Sequence, residues 1–372
     1  MDADVVGGTI ATAGQRPGAS VRAGQSLAAG KLMNAHEYLG DDGQAMLLLC
    51  SSLALPPTAA EMDLSPLKLS EWNQLERKVL ASSLKIPAAL QGRSADELAK
   101  TLALPNDEAE RITRLLEFAG QLSVELQNLF ERGLWTVTRA DELYPPHLRD
   151  TLKHQAPSVL FGAGDIRLLQ RAGVAVVGSR NIDEAGAAFA REVGAKAVAA
   201  KLPVVSGGAR GTDRIAMQAA LEAGGIALGA LADSLERTAR QADVREFISD
   251  EKLVLITQYA PDAGFSVGGA MGRNKLIYGL AESAVVVSSD HQTGGTWAGA
   301  VEALKGKWCP VLVRDGDNVP RGNKELLKLG ATALSADDLA GVSDIAEWVR
   351  QRVVPKASEM DLFAQAPSAR RK

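Results

Sequence analysis

From Ala172 onward the chain alternates between short apolar runs and longer amphipathic stretches. The runs are "VAVVGS", "PVVSGG", "IALGA", "LVLITQ", "AVVVSS" and "CPVLVR", with helical periodicity at 183–200, 212–224, 272–282, 296–306 and 322–329. Runs without polar alternation, joined through helices, are the mark of parallel strands covered on both faces. The pattern predicts an α/β fold, a Rossmann-like doubly wound parallel sheet. Such sheets bind ligands at the carboxyl ends of their strands, near the point where strand order reverses. The loops just after each strand are therefore where function is sought.

A different pattern precedes this sheet. Residues 1–32 are rich in glycine and alanine and lack periodicity, which predicts a disordered extension upstream of a start at Met33. Residues 33–135 read as a small all-α domain. Its short helices fall in "GQAMLLLCSSLAL", "SEWNQLERKVLASSL" and "SADELAKTLAL", with Ser70 and Ser94 as N-caps, followed by two helices divided near Gly120. A bridging segment then runs through Pro145 and Pro146 to a strand at Ser158–Phe161. The partition that follows is a Rossmann-like domain at 136–340, a closing helix at 341–354 and a disordered tail at 355–372.

Composition narrows the function classes. A net charge of −4 gives no global attraction to nucleic acid, so a nucleic-acid site must be a local basic patch. Cys50 and Cys309 are far apart and His36, His147, His154 and His291 form no HxxxH pair. Neither a zinc site nor a disulfide framework is supported, so no metal and no cofactor is expected. No apolar run reaches membrane-spanning length and no signal sequence is evident, which predicts a cytoplasmic protein with no membrane partner.

The post-strand loops carry the candidate chemistry. They hold Gly178-Ser179-Arg180, then "SGGARGTD" at 206–213, "GRNK" at 272–275 and "DHQTGGT" at 290–296. Glycine directly before a helix leaves free N–H groups at the positive end of the helix dipole, a setting that favours an anion. A single such loop explains little, because tight turns need glycine anyway. Several of them at the strand ends of one sheet, with Arg180, Arg210, Arg273 and Lys275 among them, predict a phosphate-binding crevice. Neither GxxxxGK[ST] nor GxGxxG occurs in these loops, so neither an NTPase loop nor a dinucleotide fingerprint is supported.

The segments "VAVVGSR", "VVSGGARGTDRIAMQAALEAGG", "GRNKLIYGLAESAVVV" and "TGGTWAGAVEALKGK" resemble, in order and spacing, the DNA-processing protein A (DprA/Smf) family. The resemblance implies an extended Rossmann-like fold that binds single-stranded or locally opened DNA, a habit of forming homodimers, and handling of incoming DNA. On that basis Gly178, Ser179, Arg180, Ser206, Gly207, Arg210, Gly211, Arg273, Asn274 and Lys275 are expected to meet DNA phosphates, with Thr293, Gly294, Gly295 and Thr296. The chain departs from the family pattern at Met217, where a histidine is usual, and at Thr293–Trp297, where a Ser-Gly-Ser-like loop is usual. The family's common winged-helix domain is not expected after its core. These departures suggest a divergent member, with defence against foreign DNA as one candidate task.

Gly-Gly-Thr followed by a helical glutamate also resembles nucleotide phosphoribohydrolases of the Lonely Guy type, which break N-glycosidic bonds. Such chemistry needs a carboxylate in a crevice that holds base and sugar, with a DNA base flipped into it. Asp290, Glu302 and Asp213 are the candidate carboxylates, with His291 as an assistant and Trp297 as a stacking ring. Each also has an ordinary reading as a helix cap, a solvated helix face or a core ring. Three functions stand open at this point: a DNA binder, a DNA glycosylase-type hydrolase and a nucleotide sensor acting through partners. In the tail, "EMDLF" at Glu359–Phe363 is similar to the peptide with which bacterial proteins dock on the replication sliding clamp, which adds that clamp as an expected partner.

Overall fold

The computed structural model describes residues 39–353. The expected extension at 1–32, the start at Met33 and the tail with Glu359–Phe363 lie outside the described residues.

Nine strands form one sheet: β1 (Leu134–Thr138), β2 (Val159–Ala163), β3 (Gly173–Gly178), β4 (Val204–Ser206), β5 (Ala227–Ala230), β6 (Leu253–Thr257), β7 (Ala281–Ser288), β8 (Val311–Asp315) and β9 (Thr332–Ser335). Their order is β1-β2-β6-β5-β4-β3-β7-β8-β9. The seven strands from β3 onward pair in parallel, and β2 is antiparallel to both β1 and β6. The chain steps outward from β3 through β4, β5 and β6, then returns to lay β7 on the other side of β3. The strand order therefore reverses between β3 and β7, which opens the crevice expected of a doubly wound sheet.

The apolar runs are buried on both faces. Along β3, Val174 and Val176 enter one core and Ala175 and Val177 the other. The first core also takes in Trp72, Leu75, Leu98 and Ile112 from the helices that precede the sheet. Helices and sheet thus share a continuous apolar interior, in which each fully buried leucine is worth about 1.5–3 kcal/mol.

Several local expectations are corrected. "LWTVT", expected within a bridge, is strand β1, and β2 runs two residues past the expected Phe161. The edge strand β9 and the helices Leu235–Ala239 and Ala242–Ser249 were not anticipated. Ser94 caps the helix Ala95–Leu102 by accepting from the Glu97 N–H, whereas Ser70 lies inside the first turn of Leu69–Ala81. There the Glu71 carboxylate accepts from the Lys68 N–H at 2.6 Å, so the start falls two residues earlier. The division expected near Gly120 falls at residues 117–118, and the closing segment is two helices, Ala336–Gly341 and Ile345–Arg352.

The largest correction concerns "GRNK". The helix there is Val267–Gly279, begun by Ser266, whose Oγ accepts from the Gly269 N–H at 2.9 Å. Arg273, Asn274 and Lys275 are mid-helix, not in a post-strand loop. Three glycines in its first two turns hide the start, because glycine reads as turn rather than helix.

Candidate functional site

The loops after β3, β4 and β7 meet at the reversal point. Thr212 ties the first two together: its N–H and its Oγ1 both donate to the Ser179 carbonyl, at 3.2 and 3.1 Å. The Asn181 N–H donates to Ser179 Oγ at 3.1 Å, and Arg210 donates to Asn181 Oδ1 at 3.2 Å. Gly211 sits at φ +86° just before the helix Thr212–Glu222, and a Cβ there would press on the Ser179 and Arg180 carbonyls. The turn thus requires glycine at this position.

Under the β4 loop lies a buried ion pair. Asp213 accepts from the Gly207 N–H at 3.1 Å and stands 3.9 Å from the Arg273 guanidinium, which donates to the Ala230 carbonyl at 3.3 Å. Burial pushes the Asp213 carboxyl up to about 6, against the pull of Arg273 and of hydrogen bonds from the loop. Burial also lowers Arg273. Both shifts favour the neutral forms, so desolvation outweighs what a pair at this separation returns. Ser206, also fully buried, donates from Oγ to the Val176 carbonyl at 2.6 Å and ties β4 to β3. Asp213, Arg273 and Ser206 hold the loop in shape from beneath.

The third loop leads into the helix Gly294–Gly306, which begins two residues before the expected Thr296. Thr293 offers its first turn no side-chain cap, and that turn contains no acidic residue. The N–H groups at Gly294, Gly295 and Thr296 are left for an external acceptor. They line a cleft of about 330 Å³ together with Gly178, Ser179 and Arg180 from the β3 loop. Asn274 closes one wall and donates to the Gly295 carbonyl at 2.9 Å. Asp290 is exposed at the rim of the same cleft.

A second cleft, of about 430 Å³, flanks the β4 loop on its other side and holds Gly207, Arg210 and Met217. Arg180, Arg273 and Phe265 border both clefts. Phe265 is 52% exposed, and the Arg180 guanidinium lies over its ring, 5.7 Å from the centroid. Sequence reasoning missed Phe265, because nothing in "PDAGFSV" shows that this loop crosses the sheet edge between two clefts. It also missed Asn323, fully buried, whose Oδ1 accepts from the Ser289 N–H and whose Nδ2 donates to the Val287 and Arg314 carbonyls.

Lys275, Glu302, Trp297 and His291 lie apart from the clefts. Lys275 and Glu302 bind each other at 3.1 Å, and Lys275 also donates to Gln155 and faces the Trp308 ring. Trp297 is half-buried against the core and meets His291 edge-on at 5.0 Å. Among the described residues no cluster of three or more His, Cys, Asp or Glu could hold a metal, and no helix is long and apolar enough to cross a membrane.

The model of the family described as DNA recombination-mediator protein A matches residues 135–343. The DNA processing protein DprA of Streptococcus pneumoniae is 32% identical over 156 residues, which is 41% of this chain and 54% of that protein. The chain thus spans about half the length of this relative. The DNA processing protein DprA of Bacillus subtilis is 26% identical over 284 residues, 74% of this chain and 90% of that protein. Among solved structures, DprA from Streptococcus pneumoniae superposes with a TM-score of 0.56 and 23% identity, covering 74% of this chain and 98% of that one. At that identity the likeness shows a shared fold.

Proposed function

The chain belongs to the DNA recombination-mediator protein A family, and on that premise we propose that it binds single-stranded DNA across the paired clefts at the β3/β7 reversal. Backbone phosphates sit on the uncapped N–H groups of Gly294–Thr296 and on the exposed guanidinium groups of Arg180 and Arg210. Phe265 offers a base its exposed face. The observation that carries this reading is the uncapped helix start opening on the same cleft as Arg180. Arg273 acts from beneath, holding the β4 loop through Asp213 rather than neutralising a phosphate itself.

The test is Arg180→Ala combined with Arg210→Ala, both exposed. Affinity for a single-stranded oligonucleotide should fall about tenfold or more, and the slope of log affinity against log salt should shrink by about 1.4. Binding equal to that of the unaltered protein at matched salt sinks the proposal.

A second reading, hydrolysis of an N-glycosidic bond, has one exposed carboxylate in the cleft to act through, since Asp213, which also lines it, is buried against Arg273. Asp290 stands exposed at the cleft rim, where a flipped nucleotide held by Gly294–Thr296 would bring its sugar. Alkali-labile abasic sites formed by the protein and abolished by Asp290→Ala would establish it.

A further inference from the structure

A second basic cleft lies beside β1, between the helix Leu69–Ala81 and the helix Pro146–Leu152. Four cations line it, Arg77, Arg139, Arg149 and Lys153, together with His154 and a single carboxylate, Glu76. In a chain of net charge −4 this is a marked local excess. Glu76 is already engaged by Arg139 at 3.0 Å. Arg77, Arg149 and Lys153 form no ion pair among the described residues.

The cleft is held in shape from behind. Arg139 donates to Asn73 Oδ1 at 2.8 Å, and Asn73 in turn donates to the His154 carbonyl at 2.8 Å, so the two walls are tied. Arg149 lies over the Tyr144 ring at 5.3 Å and donates to the Asp141 carbonyl at 3.0 Å. That fixes the guanidinium plane without using a negative charge. Arg77 is steered by donation to the Asn73 carbonyl at 3.1 Å. Lys153 sits at φ +53°, ψ −122°, a conformation costly for a residue with a Cβ. Glycine would be cheaper there.

Sheet topology orients this cleft. Because β2 is antiparallel to both β1 and β6, β1 runs parallel to β3 and β4. Arg139, directly after β1, therefore emerges at the same edge of the sheet as the DNA crevice. Five strand spacings separate β1 from β3, roughly 24 Å at about 4.8 Å each. At about 3.4 Å per stacked nucleotide, roughly seven nucleotides span it.

We propose that this cleft is a second phosphate-binding site, which takes the backbone of the same DNA strand where it leaves the β3/β7 crevice. The proposal rests on the reading of that crevice as a DNA site and adds a direction: the strand runs along the sheet edge toward β1. Ligand recognition is by charge, so the site carries no base specificity.

The test uses the full chain with oligonucleotides of about six and about twenty nucleotides. In the variant Arg77→Ala, Arg149→Ala, Lys153→Ala the short strand should bind as before. The long strand should lose about tenfold or more in affinity, with a salt slope smaller by about 2. Arg149 also packs on Tyr144, so Arg77→Glu with Lys153→Glu, both exposed positions, repeats the test without touching a buried contact. Long-strand affinity and salt slope equal to those of the unaltered protein, in a folded variant, overturn the second site and leave the crevice standing. An unaltered protein that binds neither oligonucleotide overturns both readings together.

Discussion

The guanidinium of Arg273 lies so close to the backbone of Gly207 that a Cβ on the glycine would overlap Nη1. The same Cβ would crowd Oδ2 of Asp213, the partner of Arg273. One glycine thus permits a loop, a buried arginine and a buried aspartate to occupy adjoining positions. Gly207→Ala should drive Arg273 out of its place and leave Asp213 buried without its counter-charge. The expected cost is about 3 kcal/mol of stability. A urea titration measures it, and a midpoint equal to that of the unaltered protein would contradict the close approach.

Asp213 also fixes a pH dependence. Its carboxyl is raised by burial to about 6 in the folded protein, above the ordinary 3.8. The folded state therefore holds the proton more tightly than the unfolded chain between these values. The associated stability is fully present below pH ~4 and is lost as pH rises through ~6, amounting to about 3 kcal/mol at most. Asp213→Asn cannot titrate, so its stability relative to the unaltered protein should improve across that window. Urea midpoints of both proteins at several values between pH 4 and 7 give the comparison. Parallel curves would show that Asp213 does not carry the shift.

The parallel sheet and its glycine-bearing loops were legible because both are local. A buried strand is an uninterrupted apolar run, and a phosphate loop needs glycine within a few residues of a helix start. Arg180, Arg210 and Gly294–Thr296 were placed at strand ends that way, and the structure has them lining the two clefts there. What depends on distant meetings was not legible. Arg273 looked like a loop cation because "VGGAMG" obscures the helix that carries it inward. Lys275 and Glu302, 27 positions apart, were separate candidates until their helices brought them within 3.1 Å of each other. The strand β1 was hidden by its short length and by the nearby Pro145-Pro146, and β9 by being only half-buried at the edge. Phe265 and Asn323 carry no local signal at all.

The Lys275–Glu302 pair gives a test that separates cleft residues from their surroundings. Glu302 is 41% exposed at its side chain and faces Lys275 rather than either cleft. Exposed pairs of this kind contribute about 0–1 kcal/mol. Glu302→Gln should leave DNA affinity unchanged and shift stability by less than about 1 kcal/mol. A titration with labelled oligonucleotide checks the first expectation. A loss of binding would mean that Glu302 reaches the DNA after all.

Asn323 offers the sharpest test of how the third loop is held. It sits in the first turn of Arg321–Lys328, whose sequence "RGNKELLK" reads as an ordinary solvated helix start. The structure buries it completely between the ends of β7 and β8. Its Oδ1 accepts from the Ser289 N–H at 2.8 Å, and its Nδ2 donates to the Val287 carbonyl at 3.1 Å and the Arg314 carbonyl at 2.9 Å. Ser289 is the residue before Asp290 and opens the loop that ends at the uncapped N–H groups of Gly294–Thr296. Asn323→Ala leaves one buried N–H and two buried carbonyls without this partner, at a cost of about 3 kcal/mol. Asn323→Asp retains the acceptor for Ser289 but turns an oxygen toward the two carbonyls, so it should be no better than alanine. If the loop is what presents the N–H groups to phosphate, both variants should lose DNA affinity at temperatures where they remain folded. Arg180 and Arg210 lie on other loops and would be left in place. The salt slope should therefore stay near that of the unaltered protein while the affinity falls, the reverse of the pattern expected for Arg180→Ala with Arg210→Ala. Unfolding curves set the temperature, and oligonucleotide titrations at two salt concentrations read the rest. Full affinity in a destabilised but folded Asn323→Ala protein would show that the β7 loop takes no part in holding the strand.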